Sequence, residues 1–533
     1  MVVIDKFRTA SANVSGLALA VAASTMLPAF ANAQEVTLSS EDNSVSVTGE
    51  LVSFDGQNFI IRTAMGDLEL AAEVARCSGE SCPDRGTPPA EFSLFGPKEL
   101  VSNLSANFID LYAQKNEANI DKQAISSNES NIIAQSLDDE NVLQARLTAA
   151  DSTASLNALL EGQADFALST RSVQAREARR FSAAGLGDIT DPTQEHILAL
   201  DGIVIVTSPD NPVNAITQEN VARVFAGLIT NWRELGGNDA PINVYIRDQN
   251  TGTSTVFDQL VMRPAGLEIR KDGLRASTDT SIVESVVVDP NGIGFTSFAG
   301  SDEAKSLTIE GVCGLQTPAT AFSIQTEEYP LTRLLYAYTL PEDDLTSGNR
   351  DFLEFIKSNA AQPAVISAGL IDQEITNKSI DNQGLRLASA IVANSDIARF
   401  PELSAMVTEL LTAERLSTTF RFETASSRLD PRANQDIDRL ADFLRQQSGS
   451  KEVILVGFTD SVGDAEQNKL LSKGRAQQVL ATLLQRYPDL ENNVTFNVSG
   501  YGEASPLGCN ETSVGRRINR RVEVWMRDSV ARN

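Results

Sequence analysis

Gly457-Phe458-Thr459-Asp460-Ser461-Val462-Gly463 follows the apolar run Val453-Ile454-Leu455-Val456 and precedes a segment with apolar positions at Leu471, Ala476, Val479, Leu480 and Leu483. The short unbroken run reads as a buried strand, and the recurrence at three and four positions reads as an amphipathic helix. Asp460 therefore falls at a strand end, on the rim of a sheet, and Arg475 falls one or two turns inside the next helix.

A carboxylate and a guanidinium placed in this way can hold a zwitterion. The carboxylate takes an ammonium, and the planar guanidinium fork takes a carboxylate through two parallel hydrogen bonds. The same pair also describes an exposed salt bridge, which contributes little to stability. The surrounding words decide between the two: Asn468, Leu471-Ser472, Gly500-Tyr501-Gly502-Glu503, Pro506, Asn510, Gly515-Arg516 and Asn519-Arg520-Arg521-Val522-Glu523. With the opening stretch they resemble the peptidoglycan-binding, OmpA-like (outer-membrane-protein-A-like) family over about residues 413–528. The resemblance implies that Asp460 and Arg475 grip diaminopimelate, the free amino acid end of the Gram-negative wall peptide. Thr459 and Asn468 belong to the same loop, and Arg520 adds positive charge facing the wall's carboxylates in an otherwise acidic chain. Alternation at Phe420-Arg421-Phe422, a helical face at Ile437, Leu440, Phe443 and Leu444, and strands around Val494 to Val498 and Val522 to Met526 predict a small βαβαββ sandwich.

The 533 residues exceed one core, so two or three domains are expected. Lys6 and Arg8, an apolar stretch over 14–30 and the small-residue site Ala31-Asn32-Ala33 read as an export signal over 1–33. A membrane anchor fits less well, because Ser24, Thr25 and Pro28 interrupt the run and no basic flank comes after it. No Cys follows the cleavage site to carry a lipid, so the mature chain is expected to begin near Gln34 and to reside in the periplasm. The whole chain carries a formal charge of -27. So acidic a surface repels nucleic acid and anionic lipid, which excludes both as partners.

Four Cys in an exported chain are free to pair. Cys77-Ser78-Gly79-Glu80-Ser81-Cys82-Pro83 reads as a small disulfide loop joining Cys77 and Cys82. A zinc half-site is the rival, but its other half is missing, since Cys313 and Cys509 are isolated and His196 is the only His. No metal and no cofactor are expected, and the sequence leaves the pairing of Cys313 and Cys509 open.

Residues 34–89 alternate in short strands, a small β module without visible chemistry, and Arg85-Gly86-Thr87-Pro88-Pro89 links it to the next domain. From there strands (92–95, 142–147, 164–168) alternate with helices (100–112, and 155–161 ending at Gly162), which predicts an α/β fold on a mainly parallel sheet. Thr251-Gly252-Thr253-Ser254 precedes a helix with Val256, Phe257, Leu260 and Val261 on one face, and Arg247 ends the preceding strand. A Gly-led helix start offers free N–H groups, and Arg247 offers a forked cation; together they suit a tetrahedral oxyanion. An ordinary helix cap uses the same Thr and Ser.

Leu200-Asp201-Gly202-Ile203-Val204-Ile205-Val206, Gly227-Leu228-Ile229-Thr230-Asn231-Trp232 and the Arg247 group resemble the periplasmic phosphate-binding proteins of ABC importers, over about residues 91–374. The resemblance implies a type II two-lobed fold, an oxyanion held by Arg247, Thr251, Gly252 and Thr253, and an ABC importer as partner. It also implies contacts from Ser152, Thr153 and Ser155 in a second loop, and from Ser169 and Arg171 in a third. Two departures stand out. No Asp lies near Thr170 to accept a proton from hydrogen phosphate, and the first loop, Gly96-Pro97-Lys98-Glu99, has no hydroxyl at its turn. Pro97 also lacks an N–H, which leaves Lys98 as the substitute cation. Further on, 292–295 reads as the strand returning to the first lobe, 334–338 as the closing strand and 349–359 as the last helix. Residues 376–412 read as a polar linker that packs loosely.

The reading is thus a multidomain α/β chain of four parts: a small β module (34–89), a two-lobed binding domain (90–375), a linker (376–412) and an OmpA-like domain (413–528). Its expected function is that of a peptidoglycan-tethered solute-binding protein for phosphate or a similar oxyanion, in the periplasm and at the outer membrane of a Gram-negative cell. The alternative is a wall-associated scaffold whose binding domain has lost its ligand. An enzyme is not expected, because there is no metal-ligand cluster, no Gly-x-Ser-x-Gly elbow and no catalytic partner for His196.

Overall fold

The computed structural model describes residues 35–40, 46–54, 58–63, 66–71, 75–79, 81–82, 88–247, 252–379, 384, 400–422 and 431–529. The expected export signal and Thr251 lie outside them. The chain divides into two compact units, Met1–Pro88 and Pro89–Asn533.

In the first unit five antiparallel strands stand in the order Gly66–Ala71, Asn58–Thr63, Ser46–Phe54, Glu35–Ser40, Ala75–Ser78. Alternation turns Val36, Leu38, Phe59 and Ile61 into one small core, where Phe54 stacks on Phe59 at 4.7 Å. Cys77 and Cys82 are joined in a disulfide, with 5.8 Å between their Cα atoms. A core of this size gains from such a staple.

In the second unit one sheet runs through two lobes. The second lobe contributes Leu274–Ala276, Asn243–Arg247 and Gly292–Ser297, and the first contributes Phe166–Ser169, Ala90–Gly96, Asn141–Ala149, Glu129–Gln135 and Asn119–Ser126. Between them lie Glu195–Thr207 and Thr332–Tyr338, which pair antiparallel and cross from lobe to lobe. Leu198, Ala199, Leu335 and Ala337 lie in the core of the first lobe with Phe92, Phe108 and Phe352. Ile203 and Ile205 lie in that of the second with Phe225, Trp232, Phe257 and Phe295.

Three expectations are corrected. The sheet is mixed rather than mainly parallel, because the two crossing strands run against each other and against Phe166–Ser169 and Gly292–Ser297. Gly292–Ser297 stays in the second lobe, paired with the far end of Glu195–Thr207, and the chain returns through Thr332–Tyr338. The stretch taken for a loose linker builds structure: Asn377–Ser379 pairs with Glu414–Leu416 as an edge strand, and Phe400–Leu410 is a packed helix.

The carboxy-terminal sheet has the order Asn377–Ser379, Glu414–Arg421, Arg521–Asp528, Lys451–Phe458, Val494–Gly500. Val453 and Leu455 face Ile437, Leu440, Val479 and Leu483 of the helices Pro431–Arg445 and Ala465–Arg486. Ile454, Val456 and Phe458 face Leu403, Met406 and Leu410 of Phe400–Leu410 on the other side. Covered on both faces, the strand is apolar without alternation. A short helix, Ser513–Asn519, precedes the last strand.

This domain is bolted to the second lobe. Cys313 and Cys509 form a disulfide across 196 residues of sequence. Glu327, buried, meets Arg432 at 2.5 Å, Arg517 at 3.2 Å and Arg421 at 4.0 Å, and Glu328 pairs with Arg415. Burial alone would raise the Glu327 carboxyl, but the three guanidiniums hold it at about 2. A lighter contact reaches the first lobe, where Ile197 N donates to Gln435 Oε1 at 3.3 Å.

Candidate functional site

A cavity of about 360 Å³ opens where Lys98, Glu99, Asp151, Ser152 and Thr170 of the first lobe face Gly252 and Thr255 of the second. Arg247, the last residue of its strand, is buried; its Nε lies 3.0 Å from Asp279 Oδ1 and its Nη2 lies 3.8 Å from Glu99 Oε1. Its Nε and Nη1 are buried without a hydrogen-bond partner. Asp279 also accepts from Thr253 Oγ1 and Ser297 N, each at 3.3 Å. Gly252 lies close to the Glu99 side chain, whose Oε2 would stand 2.7 Å from a Cβ placed there.

Arg333, on a crossing strand, was not read from the sequence. Its Nε and Nη2 donate to Asp201 Oδ2 at 3.0 and 2.6 Å, while Nη1 stays buried without a hydrogen bond, 3.9 Å from the Cβ position of Gly252. Asp201 is fixed in turn by the N–H groups of Gly202 and Phe298 at 2.7 and 3.2 Å. A signal was present: an Asp in one apolar strand and an Arg in another each need a buried partner, and here each is the other's.

The first-lobe residues divide. Ser152 lines the cavity, its Oγ accepting from Thr170 N at 3.1 Å. The helix start beneath it, Ser152–Leu160, is capped by Asp151, whose Oδ1 takes the N–H groups of Thr153 and Ala154 at 2.8 and 2.9 Å. Ser155 Oγ donates to Asp151 O. Ser169 Oγ donates to Arg171 O at 2.6 Å within its own turn. Arg171 is forked on Glu177 at 2.8 and 2.7 Å and donates to Thr153 Oγ1 at 2.9 Å. Thr153, Ser155, Ser169 and Arg171 do not line the cavity, and neither do Arg247 and Thr253.

The second site lies at the end of Lys451–Phe458. A Cβ on Gly457 would stand 1.9 Å from Ser472 O, so glycine lets the helix Ala465–Arg486 approach the strand and carry Arg475 under the loop. Asp460 Oδ2 accepts from Arg520 Nη1 at 2.8 Å and Oδ1 from Val462 N at 3.1 Å. The Arg475 guanidinium lies 5.2 Å over the Phe422 ring. Burial, and then Arg520, push it down to about 10, against the opposing pull of Asp460. Asn468 Nδ2 donates to Val462 O at 3.2 Å, and Thr459 N to Gly502 O at 2.9 Å, so both brace the loop. The direct partner of Asp460 is thus Arg520, with Arg475 beside the pair.

Residues 130–360 match the PBP superfamily domain and residues 421–520 match the OmpA family. The chain is 27% identical over 191 residues to the phosphate-binding protein PstS of Borreliella burgdorferi, covering 34% of this chain and 67% of that one. It is 26% identical over 175 residues to the phosphate-binding protein PstS of Bacillus subtilis, covering 32% of this chain and 55% of that one. Its last part is 38% identical over 109 residues to outer membrane porin F of Pseudomonas aeruginosa, covering 20% of this chain and 30% of that one. A crystal structure of an ABC-type phosphate transport receptor from Vibrio cholerae is 22% identical, with a TM-score of 0.41, covering 53% of this chain and 99% of that one. The chain joins a domain like the phosphate-binding proteins to a carboxy-terminal domain that matches the OmpA family.

Proposed function

We propose that the protein is a periplasmic solute-binding protein held on peptidoglycan. Its two-lobed domain, about 90–375, takes a small oxyanion, for which phosphate is the first candidate, and its carboxy-terminal domain grips the diaminopimelate end of the wall peptide. The observation that supports the first half most is the pair of buried guanidiniums, Arg247 and Arg333, each with an Nη1 left unsatisfied and each close to a residue of the cavity wall, Glu99 and Gly252 respectively. A buried donor without an acceptor costs about 1–3 kcal/mol, which an entering oxyanion relieves. Gly252 and Thr253 of the second lobe and Ser152 of the first complete the set, with Thr251 beside them in sequence. An ABC importer is the proposed recipient. For the wall, the zwitterion clamp is Asp460 with Arg475, and Arg520 holds Asp460 until the ligand's ammonium replaces it.

Phosphate at about a hundred times Kd should stabilise the protein by roughly 2.7 kcal/mol. Arg247→Ala should remove most of that gain. Sedimentation with purified sacculi tests the second half: wild type should pellet, and Asp460→Ala and Arg475→Ala should stay in solution. A scaffold is the second reading, favoured by the carboxylates of Asp279 and Glu99 already standing at Arg247. It expects no thermal response to anions and unchanged sedimentation.

A further inference from the structure

The helix Pro431–Arg445 carries a buried guanidinium that its surroundings leave unanswered. Arg439 is 8% exposed, and its Nε and Nη1 are sealed from solvent without a hydrogen-bond partner. Among the described residues one carboxylate comes within ion-pair range: Asp436 Oδ1 stands 3.6 Å from Nη1, too far for a hydrogen bond, and its Oδ2 is held by Arg432 Nε at 3.1 Å. Asp438 is taken up by Arg486 at 3.1 Å and Tyr487 at 2.8 Å. Burial pushes the Arg439 guanidinium down to about 10, with Asp436 and Asp438 pulling the other way and Arg432 adding to the fall.

Arg439 forms part of the wall of a separate cavity, of about 280 Å³, between the first lobe and the carboxy-terminal domain. The first lobe contributes Asn359, just past the helix Ser347–Lys357; the end of Pro431–Arg445 contributes Phe443 and, beyond it, Gln446; Glu374 and Ile375 come from the segment between the domains. With Nε and Nη1 sealed, Nη2 is the nitrogen that Arg439 offers to the cavity. Around this cation the wall sets the carboxamides of Asn359 and Gln446 and the half-buried apolar side chains of Phe443 and Ile375. Glu374 is the carboxylate on the wall, and it is exposed, where water and salt screen it, whereas Arg439 acts from burial. A buried charged donor calls for an anion, and the apolar flanks call for hydrocarbon beside it. A water takes up about 30 Å³, so the cavity has room for a charged head and a short tail.

We propose that this cavity binds a small organic carboxylate, its head on Arg439 Nη2 and its short apolar tail along Phe443 and Ile375. The site shares no residue with the cleft or with the wall clamp, and its occupant bridges the first lobe and the carboxy-terminal domain.

Isothermal titration of the full mature chain with butyrate and with butyramide, its uncharged counterpart, tests this. Wild type should bind butyrate about tenfold tighter than butyramide. Arg439→Gln should bring the two within about twofold, and Arg247→Ala, which disables the proposed cleft, should leave the preference standing. Gln446→Glu, at an exposed position of the wall, should weaken butyrate about threefold or more and leave butyramide within about twofold. No binding of butyrate, equal affinity of wild type for both probes, or a preference that survives Arg439→Gln would overturn the assignment. A preference lost in Arg247→Ala would overturn it too, because the carboxylate would then sit in the cleft. If Arg439→Gln does not fold, Gln446→Glu decides, and an unchanged butyrate affinity sinks the site.

Discussion

His196 is fully buried, with Nε2 3.3 Å from Thr339 Oγ1 and Nδ1 without a partner. Burial, helped by Lys357, pushes its imidazole down to about 3. A depressed folded value means that its contribution to stability is intact above the ordinary 6.5 and is lost progressively as pH falls towards 3. The slope is about 1.4 kcal/mol per pH unit. Urea unfolding at pH 7 and pH 5 should therefore show wild type losing roughly 2 kcal/mol more than His196→Leu does. Arg171 behaves differently from the first expectation. Its fork is spent on Glu177, so Arg171→Ala should cost roughly 3 kcal/mol of stability and change anion affinity less than Arg247→Ala does. Both contrasts bear on what sequence can disclose. Asp460, Arg475 and Arg247 were visible because motif words surround them. Arg333 and Glu99 were not singled out, because their meaning lies in partners that only folding brings near: Asp201 across 132 positions and Gly252 across the cleft.

Among the elements, the helix Phe400–Leu410 bears directly on the stability of the carboxy-terminal domain. Leu403, Met406 and Leu410 cover Ile454, Val456, Phe458 and Trp525, so the central strand is sealed on its second face. Met406→Ala should cost about 2–5 kcal/mol in chemical denaturation of the full chain, whereas a loosely packed linker would tolerate it. The three- and four-residue spacing of its apolar positions was there to be read, but it is a short pattern inside a polar stretch. The hairpin Asn119–Ser126 with Glu129–Gln135 escaped for a related reason. The first of these strands lies at the sheet's edge and is largely exposed, so polar residues on it cost nothing and the alternation fades. Strand direction is a deeper gap. Apolar periodicity tells a strand from a helix but not parallel from antiparallel, so a sheet crossed by Glu195–Thr207 and Thr332–Tyr338 looked mainly parallel.

At the scale of the whole molecule, the joint between the second lobe and the carboxy-terminal domain governs behaviour. Glu327 is held at about 2, below the ordinary 4.5, so its ion pairs support the joint above pH 4.5 and are lost as pH falls through 2. A disulfide closing a loop of 196 residues contributes roughly 5 kcal/mol in the chain-entropy view. Cys313→Ser with Cys509→Ser, combined with Glu327→Gln, should therefore split the calorimetric melting of residues 89–533 into two transitions where wild type shows one. Domains tied by flexible linkers wander, and the linker's length sets the volume they search. The Cys313–Cys509 bolt removes that freedom here. If the carboxy-terminal domain sits on the wall as proposed, the second lobe keeps a fixed bearing to that anchor, and any pull on the anchor runs into the lobe rather than along a slack chain.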